Sequence, residues 1–469
     1  MLNALVVLVC LFLGGLPLAF ALTRQLLPAV LLAPLAAALT GSAAVGLMLL
    51  AGGPLLLWCG IALAGQLALA YGLSRRDRPV FLVDPWWVSA VVAGVLLLPF
   101  LTIKKQPTGW DSHSIWWLHA GYFRHGGEAA RQAIANPAYA FSHVDYPPLT
   151  SGTVAAVWSI LGQVDFRVAQ LIVAVLNFSA IVLSAYAVRT VTVRGNAVVS
   201  WIAATGVALA TWALLPYGAT DGYSDVLCSV SVVAAAVLLL LGRDPLARPG
   251  LAMLLMTVAA LTKNEGLVAV LIVAGVATLR NGRGLLRWRT PEGRRHLGRV
   301  ALLWWPVAAG LSWMVIVRAL GGQSDLASQG RFDDLLRGDL GVRHRLGSIV
   351  TAYEPLIGVT VLLAVVVAVA GAVFLRPARR RLDLGSDGWL WIVLAAQLLV
   401  LTFTYLITPY DLGWHLGTSA RRVLLPVVLL AMTSAAVWAV VAGPAARADR
   451  ITPVSPARPA ALEDSAAPR

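Results

Sequence analysis

The chain has 469 residues, 59% of them hydrophobic and 12% charged, with a formal net charge of +14. So small a polar fraction excludes a water-soluble globule of this length and requires lipid as solvent. The basic excess sits in short clusters between apolar runs of spanning length, so it is read as membrane topology and not as a nucleic-acid footprint.

The first apolar run has no basic residues before it, and the first cation, Arg24, follows it. This favours a retained helix with its N-terminus outside over a cleaved signal peptide. Spans are expected near 4–22, 27–50, 54–73 and 85–103, each long enough for a hydrocarbon core of about 30 Å. Arg75, Arg76 and Arg78 between the third and fourth place that loop in the cytoplasm by the positive-inside rule, and so residues 104–150 outside. The segment 149–162 is apolar but short, opens behind Pro147-Pro148 and is followed by Asp165 and Arg167; it is expected at the outer interface. The run 168–188 then returns and leaves Arg189 and Arg194 inside.

Further spans are expected near 197–216, 222–241, 250–262, 264–279, 300–320, 350–375, 388–407 and 423–442. The fold class is therefore an all-α integral membrane bundle of about 12–13 transmembrane helices with a large first outer loop containing interfacial helices. N-terminal helices occupy 1–103, the outer loop 104–167 and a transmembrane core 168–442. A tail over 443–469, rich in Pro, Ala and small polar residues, is expected to be disordered and cytoplasmic. The arginine-rich loop 280–299 and Arg376, Arg379, Arg380 and Arg381 fall in the cytoplasm. Loops 217–225, 262–266, 321–347 and 408–422, and every histidine except His296, fall outside. Cys10, Cys59 and Cys228 lie in apolar runs without metal-ligand spacing and read as small core residues.

Groups able to do acid-base work thus gather on one side. Gly109-Trp110-Asp111-Ser112-His113-Ser114-Ile115-Trp116-Trp117 sets an acid at the foot of a span, with aromatics suited to the interface. Asp111 is the first candidate for a general base, or else the N-cap of the helix that follows. His143-Val144-Asp145-Tyr146-Pro147-Pro148 closes the loop on a rigid backbone. Asp145 is a second acid, a divalent-cation ligand together with His143 and Asp111, or a solvated loop carboxylate. Thr262-Lys263-Asn264-Glu265-Gly266 interrupts an apolar stretch too long for one span, and charge there requires a partner or a site. Lys263 suits an anionic phosphate, or pairs with Glu265. Asp221 and Asp225 line the preceding outer turn. Arg421 and Arg422 stand at an outer helix end against the charge rule, which fits a phosphate bound through the planar guanidinium fork or, alternatively, anionic headgroups. Substrate-site candidates are therefore His113, Trp116, His143, Tyr146, Asp221, Asp225, Glu265 and His415.

In their order and shared sidedness, Trp110-Asp111, Tyr146-Pro147-Pro148-Leu149, Thr262-Lys263-Asn264-Glu265-Gly266 and Trp414-His415 to Arg422 resemble the GT-C superfamily of membrane glycosyltransferases. That superfamily includes the protein O-mannosyltransferases and the lipid A aminoarabinose transferase. The resemblance covers about residues 100–430. It implies transfer of a sugar from a polyprenyl-phosphate donor to an extracytoplasmic glycan, lipid or protein acceptor, usually with inversion. It makes Asp111 the loop acid beside the acceptor. Relatives carry Lys where His119 stands. No P-loop or dinucleotide fingerprint occurs. The alternative function is a transporter or flippase of lipid-linked sugars, against which stand the absence of a repeat and the placing of charge at the outer ends of spans.

Overall fold

The computed structural model describes residues 2–75, 84–103, 107–242, 249–285, 289–323, 329–338, 340–381, 384 and 386–443. The expected tail beyond 443 lies outside the described residues, as do Arg76 and Arg78. Helices α1 (Leu2–Thr23), α2 (Leu26–Ala51), α3 (Leu55–Ser74) and α4 (Trp86–Leu97) come first. A short π-helical turn, Ser112–Trp117, leads into α5 (Leu118–Arg124), α6 (Gly127–Ala135) and α7 (Leu149–Leu161). The central helices are α8 (Phe166–Val191), α9 (Ala197–Leu214), α10 (Asp225–Leu240), α11 (Pro249–Ala260) and α12 (Asn264–Arg280). There follow α13 (Gly282–Leu285), α14 (Pro291–Leu302), α15 (Trp305–Ala319), α16 (Gln329–Arg337), α17 (Val342–Tyr353), α18 (Val359–Phe374) and α19 (Arg376–Arg381). Helices α20 (Gly388–Ile407), α21 (Leu412–Val423) and α22 (Leu425–Ala442) end the described chain.

Nine helical segments among the described residues are long and apolar enough to cross a membrane. The chain is a polytopic helical membrane protein. Its long helices show almost no amphipathic bias, as expected where one side meets protein and the other lipid. Helix α8 is enclosed by α2, α9 and α10, whereas α3 and α18 expose most of their surface. Helices α1, α2 and α3 pack together as a unit and meet the rest chiefly through α7 and α8.

The expected spans differ from the observed helices mainly around the polar loops. The run 85–103 is α4 followed by a 3-10 turn, Leu98–Thr102, forced by Pro99. Helix α10 starts only at Asp225, because Gly222 takes φ +84 in the preceding turn. Helices α11 and α12, of 12 and 17 residues, break at Lys263 as the expected spans 250–262 and 264–279 do. The segment 149–162 is α7, buried along most of its length between α2, α5 and α8. Its Gly152 packs against Gly41 near the middle of α2, where a Cβ would come within about 3 Å of backbone.

Two ends of the bundle carry different chemistry. Arg189, at the last turn of α8, pairs with Asp84 at 2.6 Å, and Arg280, ending α12, donates to the carbonyls of Leu239 and Gly242. The other ends of α8 and α12 face the site described next.

Candidate functional site

A cavity of about 1690 Å³ opens where the first turns of α10 and α12 meet the last turns of α20, the helix α21 and the loop before Ser112. Asp111, His143, Tyr146, Asp221, Asp225, Lys263, Glu265, His415, Arg421 and Arg422 all line it. These residues come from segments scattered over more than 300 positions of sequence, and the bundle brings them to one wall.

A chain of alternating charge runs through them. Arg422 binds Asp111 through Nη1 and Oδ2 and reaches Asp225 Oδ2 at 3.5 Å. Lys263 Nζ contacts Asp225 Oδ1 at 2.9 Å and Glu265 at 3.5 Å, and Tyr146 donates its hydroxyl to Glu265 at 3.2 Å. Asp225 is the hub: only 4% exposed, it is tied on both oxygens to a different cation. Alternation is what makes so much charge tolerable here, since a buried ion without a partner costs several kcal/mol. Burial alone would lower the Lys263 pKa, but the carboxylates of Asp225 and Glu265 outweigh it and hold the ammonium well above its ordinary value. Burial raises the Asp221 carboxyl above the usual carboxylate range, opposed by a backbone hydrogen bond from Thr108 and by His113.

Local sequence explains how these groups are presented. Helix α12 starts at Asn264, so Lys263 sits in extended backbone at its N-cap and points back toward α10. Gly266 permits this: a Cβ there would fall 2.1 Å from the Ala259 carbonyl oxygen and 2.7 Å from Cys228 Sγ. The turn before Asp225 is pinned from α8, where Asn177 donates to the carbonyls of Ala219 and Tyr223 and Gln170 donates to that of Thr220. Arg422 lies over the Tyr223 ring at 5.2 Å. Asp411 caps α21 by accepting from the Trp414 amide at 2.8 Å, which orients the helix that carries both arginines.

The predicted residues divide accordingly. Asp111 makes no capping hydrogen bond; it already lies in helical backbone and its side chain turns to Arg422 instead. Asp145 does not line the cavity. It is 5% exposed, accepts from the Asn264 amide at 2.8 Å and, through its backbone carbonyl, from Trp313 at 3.0 Å, a place that positions the loop instead of meeting a substrate. His113 also points elsewhere, bonding the Pro107 carbonyl at 2.9 Å and packing against Trp117 and Phe166. Trp116 is buried behind the wall, stacked on Tyr146 with ring centres 5.5 Å apart, and His143 stacks there too at 4.8 Å. His415 faces the cavity and meets the Thr408 hydroxyl at 2.8 Å. Arg421 donates Nε to the Leu214 carbonyl and stands between this cavity and a shallower groove along α17.

Among the described residues no three His, Cys, Asp or Glu side chains converge as metal ligands, so His143, Asp145 and Asp111 do not form the set considered above. Residues the sequence reading missed include Trp313, Asn177 and Gln397. A lone amide inside an otherwise apolar run was the available signal for the last two. In comparison with known proteins, the chain matches no family model, no curated protein and no solved structure.

Proposed function

We propose that the chain is a membrane glycosyltransferase that moves a sugar from a polyprenyl-phosphate donor to an extracytoplasmic acceptor, with inversion. The observation that carries this reading is the pairing of Asp111 with Arg422 on the wall of a cavity whose mouth is charged and whose inner part is apolar. A lipid-linked donor needs both parts. The acceptor hydroxyl attacks the anomeric carbon, the bond from that carbon to the phosphate oxygen breaks, and the lipid phosphate leaves with the electron pair. Asp111 takes the hydroxyl proton. Arg422 offers five donors in a plane, so one edge orients Asp111 while the other meets developing charge on the phosphate, with Arg421 beside it. Asp225, itself anchored by Lys263, holds Arg422 in place, and Lys263 adds positive field without needing direct contact. The outer face is assigned by the positive-inside rule, with the acid-base groups opposite the arginine-rich loop 280–299.

The test is turnover by purified protein in detergent, offered synthetic polyprenyl-phosphate pentoses and hexoses with a panel of hydroxyl acceptors, read by mass spectrometry. Release of free polyprenyl phosphate with a new glycoside supports the reading. No release in detergent, together with movement of the same lipids across reconstituted vesicles, replaces it with a flippase.

A further inference from the structure

One carboxylate on the cavity wall stands outside the chain of alternating charge. Asp111 and Asp225 are tied to Arg422, and Glu265 to Lys263. No ion pair reaches Asp221 among the described residues; its carboxylate is met by the Thr108 backbone amide, with His113 nearby. Half-buried, it has given up part of its water without gaining a cation. Backbone contacts hold it there. Its amide donates to the Tyr217 carbonyl at 3.0 Å, and its own carbonyl accepts from Ser112 Oγ. Two glycines fasten its loop to the one that carries Asp111. A Cβ on Gly109 would fall 2.5 Å from the Tyr223 ring, and one on Gly222 would fall 2.8 Å from Ser112 Oγ. Large rings stand on the same two loops and line the same cavity: Trp110, 56% exposed, and Tyr217, 76% exposed. Aromatic residues at this height often face lipid headgroups, but a carboxylate among them repels a phosphate headgroup, so an interfacial belt does not account for the combination.

We infer that this loop end of the cavity is the acceptor subsite and that the acceptor it takes is an uncharged saccharide. That the saccharide is an acceptor rests on the glycosyltransferase reading; that it is a saccharide rests on the two loops. Adjacent hydroxyls of a sugar ring donate one to each Asp221 oxygen and replace the water that burial removed. The C–H faces of the ring pack on Trp110 and Tyr217, whose π faces carry negative partial charge. The hydroxyl to be glycosylated then turns to Asp111, the next residue after Trp110. A single alcohol or serine hydroxyl leaves one Asp221 oxygen unmet, which a site built for a hydroxyl pair penalises. Uronate and phosphate acceptors meet like charge at Asp221, and amino sugars meet Arg421 and Arg422 on the same wall. The donor's polyprenyl chain keeps the apolar inner arm, so the two substrates approach Asp111 from opposite ends of the cavity.

The test is ligand-observed NMR titration of the full chain in detergent with three classes of tetrasaccharide: neutral (glucose, galactose, mannose and arabinose), uronate and amino. At least one neutral tetrasaccharide should bind, with the uronate weaker by about tenfold and the amino sugar no tighter. Saturating the aromatic protons of the parent should transfer to C–H protons of the bound neutral sugar, a readout that needs no variant. Asp221→Asn should cut the discrimination against the uronate to about threefold or less at unchanged thermal stability, whereas Asp221→Glu keeps the charge and should keep the discrimination. Trp110→Leu should weaken all three classes alike. Failure of every neutral tetrasaccharide to bind, an amino sugar that binds tighter than all of them, or an unchanged discrimination in Asp221→Asn overturns the proposal. Because binding is read without turnover, a neutral saccharide that binds but is never glycosylated sinks the glycosyltransferase reading and leaves the saccharide site standing. Sugar transfer to an anionic or non-carbohydrate acceptor does the reverse.

Discussion

Replacing Asp111 by Asn separates the chemical role of this residue from every structural one. The substitution is nearly isosteric and removes one negative charge. In the structure the carboxylate accepts from Arg422, which keeps Asp225 as a second partner, and both side chains of the pair are about a fifth exposed. The loss of stability is therefore small, about 1 kcal/mol, within the range of partly solvated ion pairs. For a chain of this size that is a fall in Tm of about 2 °C or less. As the base in sugar transfer, Asp111 contributes on the order of 100-fold in kcat, or about 2.7 kcal/mol of the barrier, and Asn supplies none of it. The assay is initial-rate release of polyprenyl phosphate at saturating donor, beside thermal unfolding in the same detergent. Full activity at matched stability would refute the assignment. A loss of activity that merely tracks a large drop in Tm would show that the ion pair is structural.

Arg422→Gln should lower kcat/KM for the donor at least tenfold, with partial rescue by Lys, whereas Arg421→Gln should raise donor KM alone; equal effects of the two on Tm and rate would contradict the division of labour between them. Gly266→Ala is expected to cost about 1–3 kcal/mol, because its Cβ meets the Ala259 backbone, and unchanged thermal stability would disprove the close approach of α11 and α12. Burial lowers the His119 pKa to about 3, so the unfolded chain binds the proton first as pH falls below about 6.5, and stability is lost toward acid. Between pH 7.5 and 5.0 that loss is about 2 kcal/mol, read as a fall in Tm that His119→Gln should reduce; an equal fall in both proteins would refute it.

Much of the architecture was legible because lipid imposes a simple rule: a segment that crosses must be apolar for about 20 residues and must satisfy its own backbone. Runs such as 27–50, 168–188 and 388–407 obey it and appear as α2, α8 and α20. Shorter runs near 149–162, 222–241, 250–262 and 264–279 were legible too and appear as α7, α10, α11 and α12, but how these helices pack against their neighbours is not written in hydropathy. These are elements that build or support the site. The sequence also singled out most of its charged members, because an acid or lysine among apolar residues requires a partner, and Asp225, Lys263 and Glu265 proved to be one another's partners.

Sequence by itself determined that this is a helical membrane protein and that its acid-base groups share one end of the bundle, since both follow from local composition and from the cost of charge in hydrocarbon. Only the tertiary structure decided which groups meet. It joined Asp111 to Arg422 across 311 positions, turned His113 and Asp145 away from the cavity, and set Gln397 on its inner wall. Pairing across such separations depends on how helices cross and rotate against one another, and a local stretch of residues does not encode that.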